Sequence, residues 1–130
     1  MATEILINDG GAPARILPFT AAEDVTAGNL LTVDTNGKVI NANSGDTGYD
    51  FAGIGFALTT ITSGNIVSVI TGHGVVLNIN AADLGAGIAL MMGTTDGRML
   101  TATNAAGAPM TQAVTLENNS SAGLTKCITV

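Results

Sequence analysis

A turn followed by an apolar strand recurs along the sequence, and this repeat constrains the fold more than any other feature. Residues 25–33 read VTAGNLLTV and residues 61–69 read ITSGNIVSV. Both share an aliphatic residue, Thr, a small residue, Gly and Asn before two further aliphatic residues, and a looser copy, LGAGIAL, covers 84–90. Repetition of a short unit indicates that its shared residues shape the backbone. The repeat therefore favours a scaffold role for these segments over a ligand-binding loop.

Two of the copies are followed by a second turn that predicts a β-hairpin. Asn36-Gly37 follows the first copy and Asp96-Gly97 follows the third. Both dipeptides are typical of a two-residue type I′ turn, in which both central residues have positive φ. In the bend that opens each repeat, a Gly precedes the apolar strand, where a side chain is expected to clash or to strain the backbone. The predicted structural turn residues are Gly28, Asn36, Gly37, Gly64, Gly87, Asp96 and Gly97.

The rest of the pattern predicts an all-β chain. Apolar and polar residues alternate with a period of two, β-branched residues are enriched, and no convincing helical period extends beyond about ten residues. A chain of 130 residues forms one domain. The expected fold is a single compact small barrel or sandwich, with at most one helical turn at 80–84. The predicted strands cover 15–20, 30–34, 38–41, 53–57, 65–71, 74–79, 88–92, 99–102 and 125–130.

Composition and charge exclude several classes of function. The formal net charge is −6, and the four basic residues are scattered, so a nucleic-acid interface is not expected. No apolar run approaches the roughly 20 residues that span a bilayer, and no secretory signal is recognised, which predicts synthesis in a cytoplasm. Charged residues make up 11% of the chain and hydrophobic residues 46%, so part of the surface is expected to be covered by other subunits.

Few residues could carry chemistry, and no catalytic, metal-binding or cofactor-binding residue is predicted. The single His73 is expected in a turn, with an inter-subunit contact as the alternative, and the single Cys127 is expected to be a buried thiol. Asp34 stands in a Ca²⁺-loop-like DTNG, but the loop lacks its remaining ligands. A catalytic carboxylate pair at Asp46 and Asp50 is disfavoured because a Gly-rich loop holds geometry poorly. The chain is not expected to be an enzyme.

The first nineteen residues contain two apolar pieces separated by a flexible breaker. The pieces are Ile5 to Ile7 and Ile16 to Phe19, and the breaker is NDGGAP at 8–13. An extended apolar segment tethered by Gly-Gly can add a strand to the sheet edge of a partner. We expect Ile5 to Ile7 to leave the body in this way and 15–19 to form a strand of the body. The predicted organisation is an N-terminal arm at 1–14 and a β domain at 15–130.

Several motifs in this order resemble the capsid decoration proteins of tailed bacteriophages, of the lambda-decoration-like type. They are ARILPFT (14–20), VTAGNLLTVDTNGKV (25–39), AGIG (52–55) and LGAGIAL (84–90). The resemblance implies a β-tulip or β-clip-like fold and a cement protein that clamps the major capsid protein on the outside of the head, as a trimer. It also implies an arm that orders on the capsid. The matching contact residues are Ile5, Leu6, Ile7, Ile16, Leu17 and Phe19.

Two other functions remain open at this point. One is a head-fibre base or glycan-recognition module that uses the loops at 43–50 and 104–109, although aromatic residues, at 3% of the chain, are too few for an extensive sugar platform. The other is a small enzyme in which His73 or the loop carboxylates act across subunits. Residues 104–110 and 117–123 depart from the decoration-protein pattern as insertions, which weakens the inference of oligomeric state.

Overall fold

A computed structural model of the chain describes residues 5–8, 14–43, 53–102, 111–119 and 121–130. These segments contain eleven strands, which confirms the all-β prediction. The strands are β1 (Leu6–Asn8), β2 (Arg15–Thr20), β3 (Leu30–Val33), β4 (Val39–Asn41), β5 (Gly55–Ala57), β6 (Ile66–Thr71), β7 (Val76–Ala81), β8 (Ala89–Thr95), β9 (Arg98–Thr101), β10 (Ala113–Thr115) and β11 (Gly123–Thr129). None of the described segments forms a helix with the length and hydrophobicity needed to cross a bilayer.

The nine predicted strands are all present, with ends that differ from the prediction by up to three residues. The three-residue strand β10 was not predicted, because so short a segment shows little alternation. No helical turn forms at 80–84, since β7 continues through Ala81.

Five strands close into a barrel in the order β7, β11, β10, β8 and β9, and a parallel pairing of Ala81 with Met99 closes the ring. The alternation in β7 explains its position: Leu77, Ile79 and Ala81 are buried, while Asn78 and Asn80 between them are partly exposed. Because successive side chains in a strand point to opposite faces, this pattern places one face in the core and one toward solvent. The alternation of apolar and polar residues with a period of two therefore specifies which face of β7 lies in the barrel core.

The other five strands form a sheet in the order β2, β6, β5, β3 and β4. This sheet curls on itself, because Ala21, directly after β2, forms a parallel bridge with Val39 in β4. Ala22 N–H also donates to the carbonyl of Val39 at 2.9 Å. We call it the curled sheet.

The buried apolar residues form two clusters, and the larger one includes residues of both sheets. The larger cluster lies in the barrel and reaches toward the curled sheet through Leu30, Phe56 and Ile70. The smaller cluster lies in the curled sheet and consists of aliphatic residues and Ala, with Leu31 and Val69 fully buried. Apolar packing in the larger cluster therefore joins the two sheets, and polar contacts add to this connection.

Strand β1 pairs with β7 on the outside of the five-stranded ring, which corrects the prediction that Ile5 to Ile7 leave the body. Ile5 is only 7% exposed and is part of the larger core. Its carbonyl accepts a hydrogen bond from Asn78 N–H at 2.7 Å, and Leu6 pairs with Leu77 in β7. Burial of an aliphatic side chain in the core stabilises this docked position, so the apolar run that suggested an arm is explained by core packing.

The turn glycines have the backbone conformation that favours glycine, but the predicted type I′ turns are wrong. The φ angles of Gly28, Gly64 and Gly87 are 90°, 88° and 77°. A type I′ turn needs positive φ at both central residues, whereas no residue other than Gly has positive φ in the described part of the chain. Asn36 and Asp96 therefore precede a positive-φ Gly without sharing its conformation.

Candidate functional site

An exposed apolar surface lies on strand β2 and the start of β6. Ile16 is 46% exposed, Leu17 is 38% exposed and Ile66 is 66% exposed. Pro18 is also exposed. It pairs with Ser68, two residues along β2 from Ile16 and two residues before Thr20, which pairs with Ile66. Neighbouring exposed aliphatic residues at the edge of a sheet are typical of an interaction surface. Because successive side chains in a strand point to opposite faces, Ile16, Pro18 and Ile66 lie on one face of the sheet and Leu17 on the other, so the exposed side chains surround the edge of β2. We call Ile16, Leu17, Pro18 and Ile66 the β2 surface.

The outer edge of β2 has a specific pattern of backbone groups. The carbonyl of Ser68, the partner of Pro18, accepts a hydrogen bond from Leu58 on the opposite side. Pro18, which has no N–H, therefore faces away from β6. By alternation, the backbone groups of Ile16 and Thr20 also face outward, since bonding direction repeats every second residue. The Thr20 end of the edge is covered by β4, where the curled sheet closes through the Ala21–Val39 bridge. The edge can therefore pair with an added strand at Ile16, and Pro18 interrupts the pairing beyond it.

The other predicted contact residues lie in different environments. Phe19 is partly buried and packs against the core of the curled sheet, and Ile5 lies in the barrel core. Leu6 is partly buried, and Ile7 is in β1 but its side chain is outside the described residues. The structure thus leaves Ile16 and Leu17 accessible. Ile66 was not predicted as a contact residue, because in the sequence it is one more aliphatic residue of an apolar strand. Its exposure arises from its position as the first residue of β6, which the sequence pattern does not reveal.

The loop of the first repeat, which contains Asp34, is held by hydrogen bonds within the chain. Asp34 Oδ1 accepts from the backbone N–H groups of Asn36, at 2.8 Å, and Lys38, at 3.0 Å. Such a bond from an Asp side chain to its own following backbone is a standard way to stabilise a turn. The carboxylate therefore has a structural partner in this hairpin.

Replacing Asp34 with Asn should change the free energy of unfolding by less than about 0.5 kcal/mol, because an amide oxygen can accept the same two bonds. Asp34→Ala should cost about 1 kcal/mol, since both bonds are lost. Chemical denaturation with and without Ca²⁺ measures both effects. A Ca²⁺-dependent stabilisation of the parent chain that disappears in Asp34→Asn would contradict the structural role.

A ladder of polar side chains connects the curled sheet to the barrel. Arg98 Nε donates to Asn80 Oδ1 at 3.1 Å, and Asn80 Nδ2 donates to Asn29 Oδ1 at 3.0 Å. Asn29 Nδ2 donates to Asn41 Oδ1 at 2.9 Å, and Asn41 Nδ2 donates to the carbonyl of Asp24 at 2.9 Å. We call these four side chains the polar ladder. Arg98 and Asn80 belong to the barrel, whereas Asn29 and Asn41 belong to the curled sheet and its entry.

Chemistry at the two ends determines the direction of the ladder. Arg98 can only donate, so Asn80 must present its oxygen to Arg98 and its nitrogen to Asn29. Because Asn80 donates its nitrogen, Asn29 must present its oxygen to Asn80 and its nitrogen to Asn41. At the far end a backbone carbonyl can only accept, so Asn41 must present its nitrogen to Asp24. The two ends agree, and each amide has one orientation that satisfies both of its neighbours.

The hairpin at Asp96-Gly97 docks between the sheets beside the polar ladder. Gly97 N–H donates to the carbonyl of Ala42 at 2.9 Å, and its carbonyl accepts from Leu30 N–H at 2.9 Å. Asp96 Oδ1 accepts from Asn43 Nδ2 at 2.7 Å. The sequence did not reveal this interface, because Asn29, Asn41 and Asn80 are distant in the chain and each was interpreted as an ordinary strand or turn residue.

His73 lies in the turn between β6 and β7, as predicted from the sequence, and its side chain is exposed. It lines a cleft of about 220 Å³ together with apolar residues that include Phe56, Ile70 and Val130. One imidazole in such a cleft offers neither a second catalytic side chain nor a ligand set. Across the described segments, no three His, Cys, Asp or Glu side chains lie together as a potential metal site. Asp46, Asp50 and most of the predicted recognition loops, 44–50 and 104–109, lie outside the described residues.

Cys127 is fully buried in β11, and its Sγ donates a weak hydrogen bond to the carbonyl of Thr125 at 3.4 Å. Burial, with a smaller contribution from the negative charge of Glu117, raises the pKa of the Cys127 thiol to about 12. Since the thiolate is the reactive form, this thiol is unreactive at neutral pH. The structure therefore gives Cys127 a packing role in the barrel.

The described residues thus form an exposed sheet edge at the β2 surface and a hydrogen-bonded interface at the polar ladder. A comparison with solved structures found a protein of similar fold. The N base of the head fiber gp8.5 of bacteriophage phi29, seen in a crystal structure, superposes on this chain with a TM-score of 0.61. The match covers 91% of this chain and 95% of the other, at 13% sequence identity. The chain shares its fold with a phage head-fiber base. No family model matches the sequence, and no curated protein matches it.

Proposed function

We propose that the chain is a structural protein of a bacteriophage virion that binds the major capsid protein on the outer surface of an icosahedral head and clamps neighbouring subunits. The observation that carries the proposal is the likeness in fold, over 91% of the chain, to the N base of a phage head fiber. The resemblance of the turn motifs to phage decoration proteins supports it independently. Both lines of support point to the exterior of a phage head.

The β2 surface is the part of the chain that we assign to the capsid contact. Its exposed aliphatic side chains offer apolar area, and its outer edge offers the backbone groups of Ile16 to an added strand. Pro18 interrupts that edge, and an edge Pro limits uncontrolled pairing between copies of a strand. The surface is thus suited to a short, specific pairing with the capsid protein.

A clamp of this kind does not require a strong single contact. When several copies bind a repeating lattice, avidity turns modest contacts into a firm attachment. In this proposal the copies associate as trimers at three-fold positions of the head, which sedimentation of the free protein and imaging of decorated heads can test. The proposal assigns no catalytic activity, cofactor or nucleic-acid contact to the chain.

Replacing Ile16 with Asp should weaken binding to phage heads roughly tenfold or more, because a carboxylate would have to be buried in an apolar contact. Leu116→Asp is the matched control: Leu116 is 45% exposed, close to the 46% of Ile16, but lies outside the β2 surface. Cosedimentation with heads that lack the protein measures both variants, and thermal denaturation shows that both fold. Equal binding by the two variants would refute the assignment of the contact to the β2 surface.

A head-fibre base is the second candidate function, and the likeness to the phi29 protein favours it specifically. Both candidates attach to the head, but they differ in whether attachment stabilises the head against heat. A clamp should raise the temperature at which heads release their DNA, whereas a fibre base should leave that temperature unchanged and should bind a further fibre segment. Comparing heat release from decorated and undecorated heads distinguishes them, and a chain that never joins a head would overturn both.

A further inference from the structure

A cleft of about 250 Å³ lies where the polar ladder reaches the surface. Its lining residues are Thr26, Ala27, Asn29, Asn80, Arg98, Gly123 and Leu124. Arg98 supplies the one full charge among them, and none is acidic. A guanidinium in a concave site with no acid in its lining favours a negatively charged ligand, because low-dielectric walls strengthen its field. The electrostatics of the cleft therefore select an anion.

Arg98 is held in a fixed geometry by the polar ladder. Its Nε donates to Asn80 Oδ1, and among the described residues the Arg98 side chain has no other hydrogen-bond partner. A carboxylate can approach an Arg from the side, through Nε and one Nη, or from the end, through both Nη groups. Asn80 occupies the Nε position, so the end-on approach is the one that remains. Two parallel donors at that end match the two oxygens of a carboxylate.

The remaining walls of the cleft restrict the rest of the ligand. Leu124 is 40% exposed and, with Ala27, forms an apolar wall beside the guanidinium. The volume lies below the usual range of pockets for drug-sized ligands, so it suits one side chain or chain end. No aromatic ring lines the cleft on which a sugar could stack. These walls favour a short apolar stem over a carbohydrate ring.

We propose that this cleft binds a carboxylate on a short aliphatic stem, presented as an acidic side chain or chain end by a partner protein. The carboxylate oxygens accept hydrogen bonds from the two Nη groups of Arg98, and the stem packs on Leu124. The net charge of −6 repels anions at long range, so the interaction is short-range and operates once the partner is docked. The site does not depend on the capsid proposal, because it lies on residues outside the β2 surface.

Titration of the ¹⁵N-labelled protein with butyrate in low-chloride buffer tests the site. The amide signals of Gly123 and Leu124 and the side-chain Nε–H signal of Arg98 should shift and saturate, whereas butyramide, which lacks the charge, should bind roughly tenfold more weakly or not at all. Leu124→Glu should abolish the butyrate response, because its own carboxylate occupies Arg98. Leu116→Glu is the matched control, since it adds the same charge at a Leu of similar exposure outside the cleft, and it should retain the response.

Three results would overturn the proposal. The first is the absence of saturable shifts with butyrate. The second is an unchanged response in Leu124→Glu, which would place the binding elsewhere. The third is tighter binding of N-acetylneuraminate than of butyrate, which would show that the site takes an acidic sugar. Arg98→Lys provides a further check, because it keeps the charge but removes the two-donor fork, so butyrate binding should weaken while remaining localised to the cleft.

Discussion

Gly97→Ala is expected to lower the free energy of unfolding by about 3 kcal/mol, from backbone strain at positive φ and from overpacking at a buried site. The φ of Gly97 is 70°, and an added Cβ would lie 2.4 Å from both Cβ and Cγ of Asn29. The backbone of Gly97 cannot move freely, because its N–H and its carbonyl are both bonded to the curled sheet. The side chain of Asn29 cannot move freely either, because it belongs to the polar ladder. The substitution therefore damages the interface between the two sheets.

Gly37→Ala is the matched control for this substitution. Gly37 occupies the corresponding place in the first hairpin with a φ of 78°, but nothing lies within 4 Å of its added Cβ. Strain alone should cost about 1 kcal/mol there. Urea denaturation of both variants isolates the packing contribution as their difference, about 2 kcal/mol. Equal losses in the two variants would show that the docked hairpin is not a tight contact.

The second large effect is expected for Asn29→Ala, which should cost about 2 to 3 kcal/mol because it leaves buried hydrogen-bonding groups without partners. Asn29 is 7% exposed, and its removal takes the acceptor from Asn80 and the donor from Asn41. Asn41 is equally buried, so its Oδ1 has little access to water. A break in the middle of the polar ladder should also loosen Arg98 through Asn80.

The repeat supplies the control at Asn65, which occupies the place of Asn29 in the second copy. Asn65 is exposed, and its side chain bonds only within its own turn, to the carbonyl and Oγ1 of Thr62. Asn65→Ala should therefore cost less than about 1 kcal/mol. Thermal and urea denaturation of the pair, with ¹⁵N shifts of the Arg98 side chain as a second readout, measures the difference. A loss at Asn65 as large as that at Asn29 would mean that Asn serves the repeated turn in both copies rather than the interface.

Much of the fold could be predicted from the sequence because β structure depends on local alternation and on turn residues. The run at 15–20 alone specified β2, and the glycines of the repeats marked where strands begin. The type of hairpin turn could not be read from the dipeptides, because Asn-Gly and Asp-Gly also fit turns in which only the Gly has positive φ. Local chemistry thus gave the positions of turns better than their geometry.

The long-range contacts could not be predicted in the same way. Ile5 looked like part of an arm because an apolar run near a Gly-Gly has the same composition whether it docks on its own body or on a partner. The polar ladder was missed because Asn is common in turns, and only the folded arrangement brings Asn29 to Asn80, which is 51 residues away. Both misses concern choices between partners that a single sequence does not encode locally.

The position of β1 has a consequence for how the chain folds. β1 covers one edge of β7, and β11 pairs along the other, so Leu77 contacts Leu6 from an early part of the chain and Cys127 from a late one. Residue 6 therefore leaves the ribosome long before β11, the strand that pairs with the other edge of β7. Closure of such distant pairs must overcome a large loss of chain entropy, which makes folding slow. Completion of the barrel has to follow the synthesis of β11, so the apolar β1 segment is held in its final packing only after β11 has emerged.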